Sequence, residues 1–104
     1  MALTVEKEYI ESDNLWRILL SGDVDISSSI QLKENLNLIL DEKELSIDLD
    51  MSNLSYIDST GLGVLIGVLK RVKKNENNIF ISNVKSNISK LLRITGLDKI
   101  FIIK

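Results

Sequence analysis

The chain has 104 residues, a formal net charge of −2 at pH 7, and neither histidine nor cysteine. The lack of histidine excludes Ser-His-Asp triads and phosphohistidine relays, and the lack of cysteine excludes thiolate nucleophiles, disulfides and Cys/His zinc sites. The 15 Asp and Glu side chains remain as carboxylates for acid/base chemistry or for binding a metal.

The length predicts a single domain that spans residues 1–104, because a chain of this size can build one hydrophobic core and not two. Its apolar runs are far shorter than the roughly 20 residues of a membrane-spanning helix. The N-terminal segment also lacks the apolar region of a signal peptide. We therefore expect a soluble, cytoplasmic protein without a membrane partner.

Opposite charges are concentrated in the two halves of the chain. Residues 1–58 hold 13 acidic and 4 basic side chains, whereas residues 59–104 hold 2 acidic and 9 basic ones. The basic half lacks the interleaved aromatic side chains of a single-strand binder. We therefore do not expect nucleic acid as a partner.

The first half of the chain predicts three strands and one helix. Alternating apolar and polar residues predict strands over 3–9 and 14–21, which the short polar segment between them joins as a hairpin. A helical period then begins near Ser27, where residues 27–29 are all serine and therefore N-cap candidates. Its predicted inner face consists of Ile30, Leu32, Leu36, Ile39 and Leu40. Alternation at 45–50 predicts the third strand, with an irregular segment from there to Asp58.

The second half predicts two more helices and two more strands. A helix after Asp58 has apolar residues at i, i+3, i+4, i+7 and i+10, namely Leu62, Leu65, Ile66, Leu69 and Val72. A strand over 79–82 precedes a helix capped by Ser86 and ended by Gly96, with Ile88, Leu91, Leu92 and Thr95 inside. A short strand over 100–103 follows. Successive βαβ units require right-handed parallel crossovers, so we predict an α/β fold whose mostly parallel sheet has an antiparallel first strand.

The segment Asp58-Ser59-Thr60-Gly61 stands where the second helix begins, so Ser59 or Asp58 should be the N-cap of that helix. Free backbone N–H groups and the positive end of the helix dipole favour an anion there, so a phosphoryl group on Ser59 would be well placed. A structural interpretation is also open, since Ser and Asp are common as helix caps. In that case Ser59 is only a helix cap, and Gly61, Gly63 and Gly67 only allow close helix packing.

Other phosphate-binding patterns fit less well. The glycine spacing GxGxxxG differs from the dinucleotide fingerprint, and no P-loop motif occurs. A strand that ends at Asp48 or Asp50 resembles a phospho-aspartate receiver, but the opening hairpin argues against that fold. Asp23, Asp25 and Asp58 leave a carboxylate Mg²⁺ site open, although we expect neither a metal nor a cofactor.

Three segments of the chain resemble the STAS family, and within it the stand-alone anti-sigma factor antagonists. They are GDVDISS at 22–28, IDLDMSNLSYIDSTGLGVLIGVLK at 47–70 and ISKLLRITGLDKIFII at 88–103. The D-S-T-G-L-G block within the second segment is specific for the family. The resemblance implies the STAS fold, with helices packed on a mixed sheet, and a binding protein rather than an enzyme.

The resemblance also implies a phosphorylation switch. Ser59 would be phosphorylated by a cognate anti-sigma factor that is itself a serine kinase of the GHKL ATPase type. The unphosphorylated form would bind this kinase and release the sigma factor, and a PP2C-type phosphatase would restore it. The implied partner-binding residues are Asp23, Asp25, Asp58, Thr60, Gly61, Leu62 and Gly63. The alternative is a STAS adaptor subunit of a transport or stress-signalling complex, in which Ser59 is only a helix cap.

Overall fold

Five strands and three helices follow one another in the predicted order. The structure is a computed structural model that describes all 104 residues. The elements are β1 (Thr4–Ile10), β2 (Leu15–Val24), α1 (Ser29–Glu42), β3 (Ser46–Ile57), α2 (Ser59–Lys74), β4 (Ile79–Ser82), α3 (Ser86–Ile94) and β5 (Ile102–Ile103), with a short 3₁₀ turn at Leu97–Lys99. None of the helices is both long and apolar enough to cross a bilayer.

The strands form one mixed sheet in the order β1-β2-β3-β4-β5. β1 pairs with β2 in the antiparallel sense, and all later pairs are parallel. Right-handed crossovers between strands in sequential order place every connecting helix on the same side of a sheet. α1, α2 and α3 therefore cover one face and leave the other without a helix, which confirms the predicted α/β architecture.

The core lies between the sheet and the three helices and contains 24 buried apolar residues. Because side chains alternate along a strand, Ile47 and Leu49 face this core while Asp48 between them faces the uncovered side. Asp48 is nevertheless buried, and its carboxylate accepts a hydrogen bond from the Ser82 hydroxyl at 2.9 Å and pairs with the Lys104 ammonium at 3.0 Å. This buried charge therefore has both a hydrogen bond and an ionic partner, as burial requires.

β3 is longer than the sequence predicts. The segment 51–57, predicted to be irregular, continues the strand as far as Ile57. The prediction was wrong because two register shifts in the pairing with β2 interrupt the two-residue period of burial, although the parallel pairing resumes and ends at Val24 opposite Ile57. This extension carries the chain to the point where α2 begins.

Three details of the helices also differ from prediction. Ile30 was predicted on the inner face of α1, but its side chain is 67% exposed. Thr95 was predicted inside, but it is exposed and its hydroxyl donates to the carbonyls of Leu91 and Leu92 in the preceding turn. Ser86 is the first residue of α3 rather than its cap, and no side chain caps that helix. Gly96 follows α3 with φ +75°, which confirms it as the stop signal.

Arg71 joins α2 to α1. Its guanidinium donates to the carbonyl and side chain of Asn37 and forms ion pairs with Asp41 at 2.8 Å and Glu44 at 2.6 Å. These hydrogen bonds, first to Glu44 and then to Asp41, raise the pKa of Arg71 above its usual value. One side chain thus ties the last turns of α2 to α1 and to the loop before β3.

Gly61 lets the first turn of α2 lie directly on the sheet. A Cβ atom at this position would stand 2.6 Å from Cγ1 of Val24 and 2.7 Å from Cγ1 of Ile57. Both neighbours are buried, branched side chains at the ends of β2 and β3, so neither can move away freely. Gly63 and Gly67 have open space at the same position; of these three glycines, only Gly61 is needed for close packing.

We expect Gly61→Ala to lower the free energy of unfolding by about 1–3 kcal/mol, because the added methyl group overpacks the contact with Val24 and Ile57. Urea unfolding followed by the fluorescence of Trp16, the only tryptophan, measures the change. Gly63→Ala is the matched control. It removes a flexible residue from the same helix without a clash and should raise stability by roughly 0.5–1 kcal/mol. Equal effects of the two substitutions would contradict the packing role of Gly61.

We expect Arg71→Met to lower the free energy of unfolding by about 1–2 kcal/mol, because it removes a network of charged hydrogen bonds. The loss should shrink as salt is added, since the network is partly solvent-exposed. Lys90→Met removes one exposed positive charge that has no ion-pair partner and is the control. The assigned role of Arg71 fails if both variants unfold at the same urea concentration.

Candidate functional site

The carboxyl ends of β2 and β3 lie side by side and bring two loops together. The last paired residues are Asp23 with Tyr56 and Val24 with Ile57. Directly beyond them, the N–H of Asp58 donates to the carbonyl of Val24 at 3.0 Å. The loop after β2 and the start of α2 therefore share one edge of the sheet, which is where open α/β sheets commonly place their binding sites.

Asp58 caps α2. Its Oδ1 atom accepts hydrogen bonds from the N–H groups of Thr60 at 2.9 Å and Gly61 at 3.2 Å, and from the Thr60 hydroxyl at 2.5 Å. The bond from the Thr60 hydroxyl is the main reason that the pKa of Asp58 is lowered, and the two N–H groups add to it. The carboxylate is therefore ionised at neutral pH, and it occupies two of the free N–H groups of the helix.

Ser59 is the first residue of α2, and its side chain is exposed. The cap bonds of Asp58 go to Thr60 and Gly61, so the Ser59 hydroxyl is not part of the cap. Of the two predicted N-cap candidates, Asp58 has that role, and the interpretation of Ser59 as a helix cap is therefore wrong. What remains at Ser59 is a hydroxyl that faces solvent at the amino end of a helix.

Asp25 organises the loop between β2 and α1. Its Oδ1 atom accepts from the N–H and hydroxyl of Ser27 at 2.9 and 2.6 Å, and from the Ser28 hydroxyl at 3.3 Å. The hydrogen bonds from Ser27 are the chief cause of the lowered pKa of Asp25. Ser28 also accepts from the N–H of Asp25 and donates to the carbonyl of Asp23. The loop thus has a defined shape with an ionised carboxylate in it.

Three aspartates lie at the same end of the sheet as Ser59. Asp25 lies close enough to Asp58 for its negative charge to oppose the lowering of the Asp58 pKa. Asp23 stands at the end of β2, and its carboxylate contacts the amine of Met1 at 2.7 Å. These carboxylates do not form a group of three that could hold a metal ion. Because the Met1 ammonium pairs with Asp23, it is Asp25 and Asp58 that leave this edge acidic before any modification.

The residues that follow Ser59 divide between surface and interior. Gly61 and Leu62 are buried, Thr60 is partly buried and Gly63 is exposed. Thr60 has its hydroxyl engaged by Asp58, whereas Gly63 presents bare helix backbone. Of the four predicted contact residues in this stretch, Gly63 therefore lies openly on the surface, whereas Gly61 and Leu62 belong to the interior.

Apolar side chains next to this edge were not identified from the sequence as surface residues. Ile26 and Ile30 are 77% and 67% exposed, in the loop with Asp25 and in the first turn of α1. A groove of about 450 Å³ also lies between α1 and α2. Its walls consist of Lys33, Asn37, Thr60, Gly63, Val64, Gly67 and Val68. In the sequence, the four-residue spacing of Ile26 and Ile30 is out of phase with the buried leucines. This pattern could have identified both as surface residues.

Comparison with known proteins identifies the family. The STAS domain model matches residues 6–104. The anti-sigma-B factor antagonist of Staphylococcus epidermidis is 34% identical over 90 residues, which cover 86% of this chain and 83% of that protein.

Solved structures share the fold. An anti-sigma factor antagonist from Mycobacterium paratuberculosis superposes with a TM-score of 0.85 at 19% identity, covering 98% of this chain and 85% of that one. The Bacillus cell fate determinant SpoIIAA in its phosphorylated form superposes with a TM-score of 0.71 at 19% identity, covering 99% and 91%. With an ordered acidic edge at the carboxyl ends of β2 and β3 and a family match over nearly its whole length, this chain belongs to the STAS domain family.

Proposed function

We propose that this protein is an anti-sigma factor antagonist that is controlled by phosphorylation of Ser59. The observation that carries the proposal is the exposed Ser59 hydroxyl, which Asp58 leaves outside the helix cap. The similarity to the anti-sigma-B factor antagonist of S. epidermidis supports the regulatory role. In its unphosphorylated form the protein binds an anti-sigma factor serine kinase of the GHKL ATPase type in the cytoplasm, and the sigma factor is released.

The protein acts here as the substrate of its partner and not as an enzyme. The Ser59 oxygen attacks the γ-phosphorus of ATP bound to the kinase, the bond to the β-phosphate breaks, and ADP leaves. A base on the kinase takes the hydroxyl proton, because this chain has no histidine or cysteine and no base bonded to Ser59. A PP2C-type phosphatase then hydrolyses the phosphoserine with water and releases inorganic phosphate.

The switch works through charge. A phosphoryl group adds about −1.5 to −2 charge to an edge that already carries Asp23, Asp25 and Asp58. Asp58 accepts from two N–H groups of the helix end, so those groups are not free to neutralise the phosphate. Repulsion between the phosphate and an acidic group of the kinase at about 7 Å weakens binding by roughly tenfold or more. The exposure of Ser59 means that the fold itself need not change.

The contact surface combines this charged edge with apolar side chains. Asp23, Asp25, Asp58 and Gly63 give it polar groups and bare backbone, and Thr60 holds the carboxylate of Asp58 in place. Ile26 and Ile30 add exposed apolar side chains in the loop that carries Asp25 and in the first turn of α1, where they can lose water contact when a partner binds. We therefore include both isoleucines in the surface that binds the kinase.

We expect Ser59→Asp to weaken binding of the kinase by about tenfold or more, because it places a permanent negative charge where the phosphate would stand. Ser59→Ala should bind as tightly as the unmodified protein and take up no phosphate from ATP. Affinity capture with the unmodified protein in the presence of ADP isolates the ATPase. Calorimetry with this ATPase then measures both affinities.

Ser12→Asp is the control for added charge, since it lies in the exposed turn between β1 and β2, at the opposite end of β2. Circular dichroism checks that all three variants fold. Tight binding of Ser59→Asp would contradict the charge switch. Phosphopeptide mass spectrometry that finds phosphate on the native protein only away from Ser59, or nowhere, would favour a STAS adaptor subunit in which Ser59 is not modified.

We expect Ile26→Ala combined with Ile30→Ala to weaken kinase binding by roughly tenfold, because both side chains lose contact area at the interface. Stability should change little, since both are exposed in the free protein. Ile94→Ala, which truncates an exposed isoleucine of α3, is the control. Kinase binding that is unchanged in the double variant would remove α1 from the interface.

A further inference from the structure

The far end of α2 forms one wall of a second surface feature, an open cleft of about 760 Å³. The opposite wall comes from the chain between α3 and β5. The cleft brings together residues of two regions that are distant in sequence, namely Ile66, Leu69, Lys70, Lys73, Lys74, Lys99 and Ile100. Nothing in the proposed function uses it.

The rim of this cleft is strongly basic. It carries four exposed lysines, Lys70, Lys73, Lys74 and Lys99, and no acidic side chain lines it. None of the four forms an ion pair, in contrast to Arg71 of the same helix, which pairs with two carboxylates. Lys73 donates only to the side chain of Asn78 at 2.6 Å. The rim therefore holds positive charge that the protein itself does not neutralise.

The floor of the cleft is apolar. Ile66 is partly buried, Leu69 is buried, and Ile100 remains 43% exposed. An apolar floor within a ring of lysines is complementary to a segment that has carboxylates at its margins and aliphatic side chains along its centre. We propose that this cleft docks an acidic, amphipathic helix of a partner protein.

Other anionic occupants match the cleft less well. Its lining contains no aromatic side chain on which a base could stack and no arginine to bind a phosphate in bidentate fashion. A flat anionic membrane would contact the lysines but would not reach the floor. The combination of lysine rim and aliphatic floor therefore selects a protein segment.

The cleft is independent of the Ser59 edge. Lys70 follows Ser59 by three helical turns, about 16 Å along the axis. This exceeds the Debye length of about 8 Å at physiological ionic strength, so salt screens the cleft from a phosphate on Ser59. The cleft thus holds its partner in both phosphorylation states, and its existence does not depend on the proposed switch.

A fluorescein-labelled, acetylated peptide with leucines at helical spacing among glutamates is a direct probe. We expect saturable binding, measured by fluorescence anisotropy. The affinity should be at least about tenfold lower for Lys70→Glu combined with Lys74→Glu. Lys85→Glu with Lys90→Glu reverses two exposed charges outside the cleft and should leave the affinity within about twofold of that of the unmodified protein. Ile100→Ser should weaken binding of the leucine-containing peptide but not binding of an all-glutamate peptide. Ser59→Asp should bind the probe like the unmodified protein, which separates this result from any failure of the switch.

Several results would overturn the proposal. Absence of saturable binding, or equal losses in the two charge-reversed double variants, would remove the cleft as a binding site. Oligo-dT bound as tightly as the peptide would reassign it to nucleic acid, and phosphatidylserine vesicles bound more tightly would reassign it to a membrane surface. Self-association in sedimentation that only the Lys70→Glu, Lys74→Glu variant abolishes would make the occupant a second copy. A loss of probe binding in Ser59→Asp would contradict the independence of the two surfaces.

Discussion

The contact of Gly61 with Val24 and Ile57 is the constraint on which the rest of the acidic edge depends. Because this residue has no side chain, the backbone of α2 rests against the ends of two neighbouring strands. The approach brings the N–H of Asp58 to the carbonyl of Val24 and sets the Asp58 carboxylate over the first turn of the helix. Ser59 is left outside both contacts. A solvent-facing hydroxyl is thus the geometric result of tight packing on either side of it.

The separation of acidic and basic residues between the two halves of the sequence is also found along α2, with acidic residues at its start and basic residues at its end. Lys73 and Lys74 lie in the last turn of α2, where the negative end of the helix dipole stabilises a positive charge, and both are exposed to solvent. Aspartates gather at the other end, where Asp58 is stabilised by the positive end of the dipole and by the N–H groups that it accepts from. The same backbone electrostatics therefore supports two chemically opposite surfaces, and a single helix presents both to the outside of the protein.

The periodic parts of the fold could be predicted, and the departures came from interactions that a linear pattern does not contain. Alternation and the helical repeat indicated the order of the elements and the parallel sheet. They missed the second half of β3, because register shifts interrupt the alternation while the pairing continues. They placed Ile30 inside, because α1 carries two apolar stripes and the sequence does not show which one meets the sheet. The choice between Asp58 and Ser59 as the cap needed atomic geometry, and the lysine cleft needed the three-dimensional proximity of Lys99 and Ile100 to α2.

Arg71 fixes the position of α2 relative to α1. Its bonds to Asn37, Asp41 and Glu44 hold the distal parts of α1 and α2 together, and the apolar core joins the same helices along their length. These polar and apolar contacts consequently hold α1 and α2 in one fixed arrangement. A charge added at the first turn of α2 would therefore change the electrostatic potential at that end of the helix, and the contacts between the two helices would oppose a change in their arrangement.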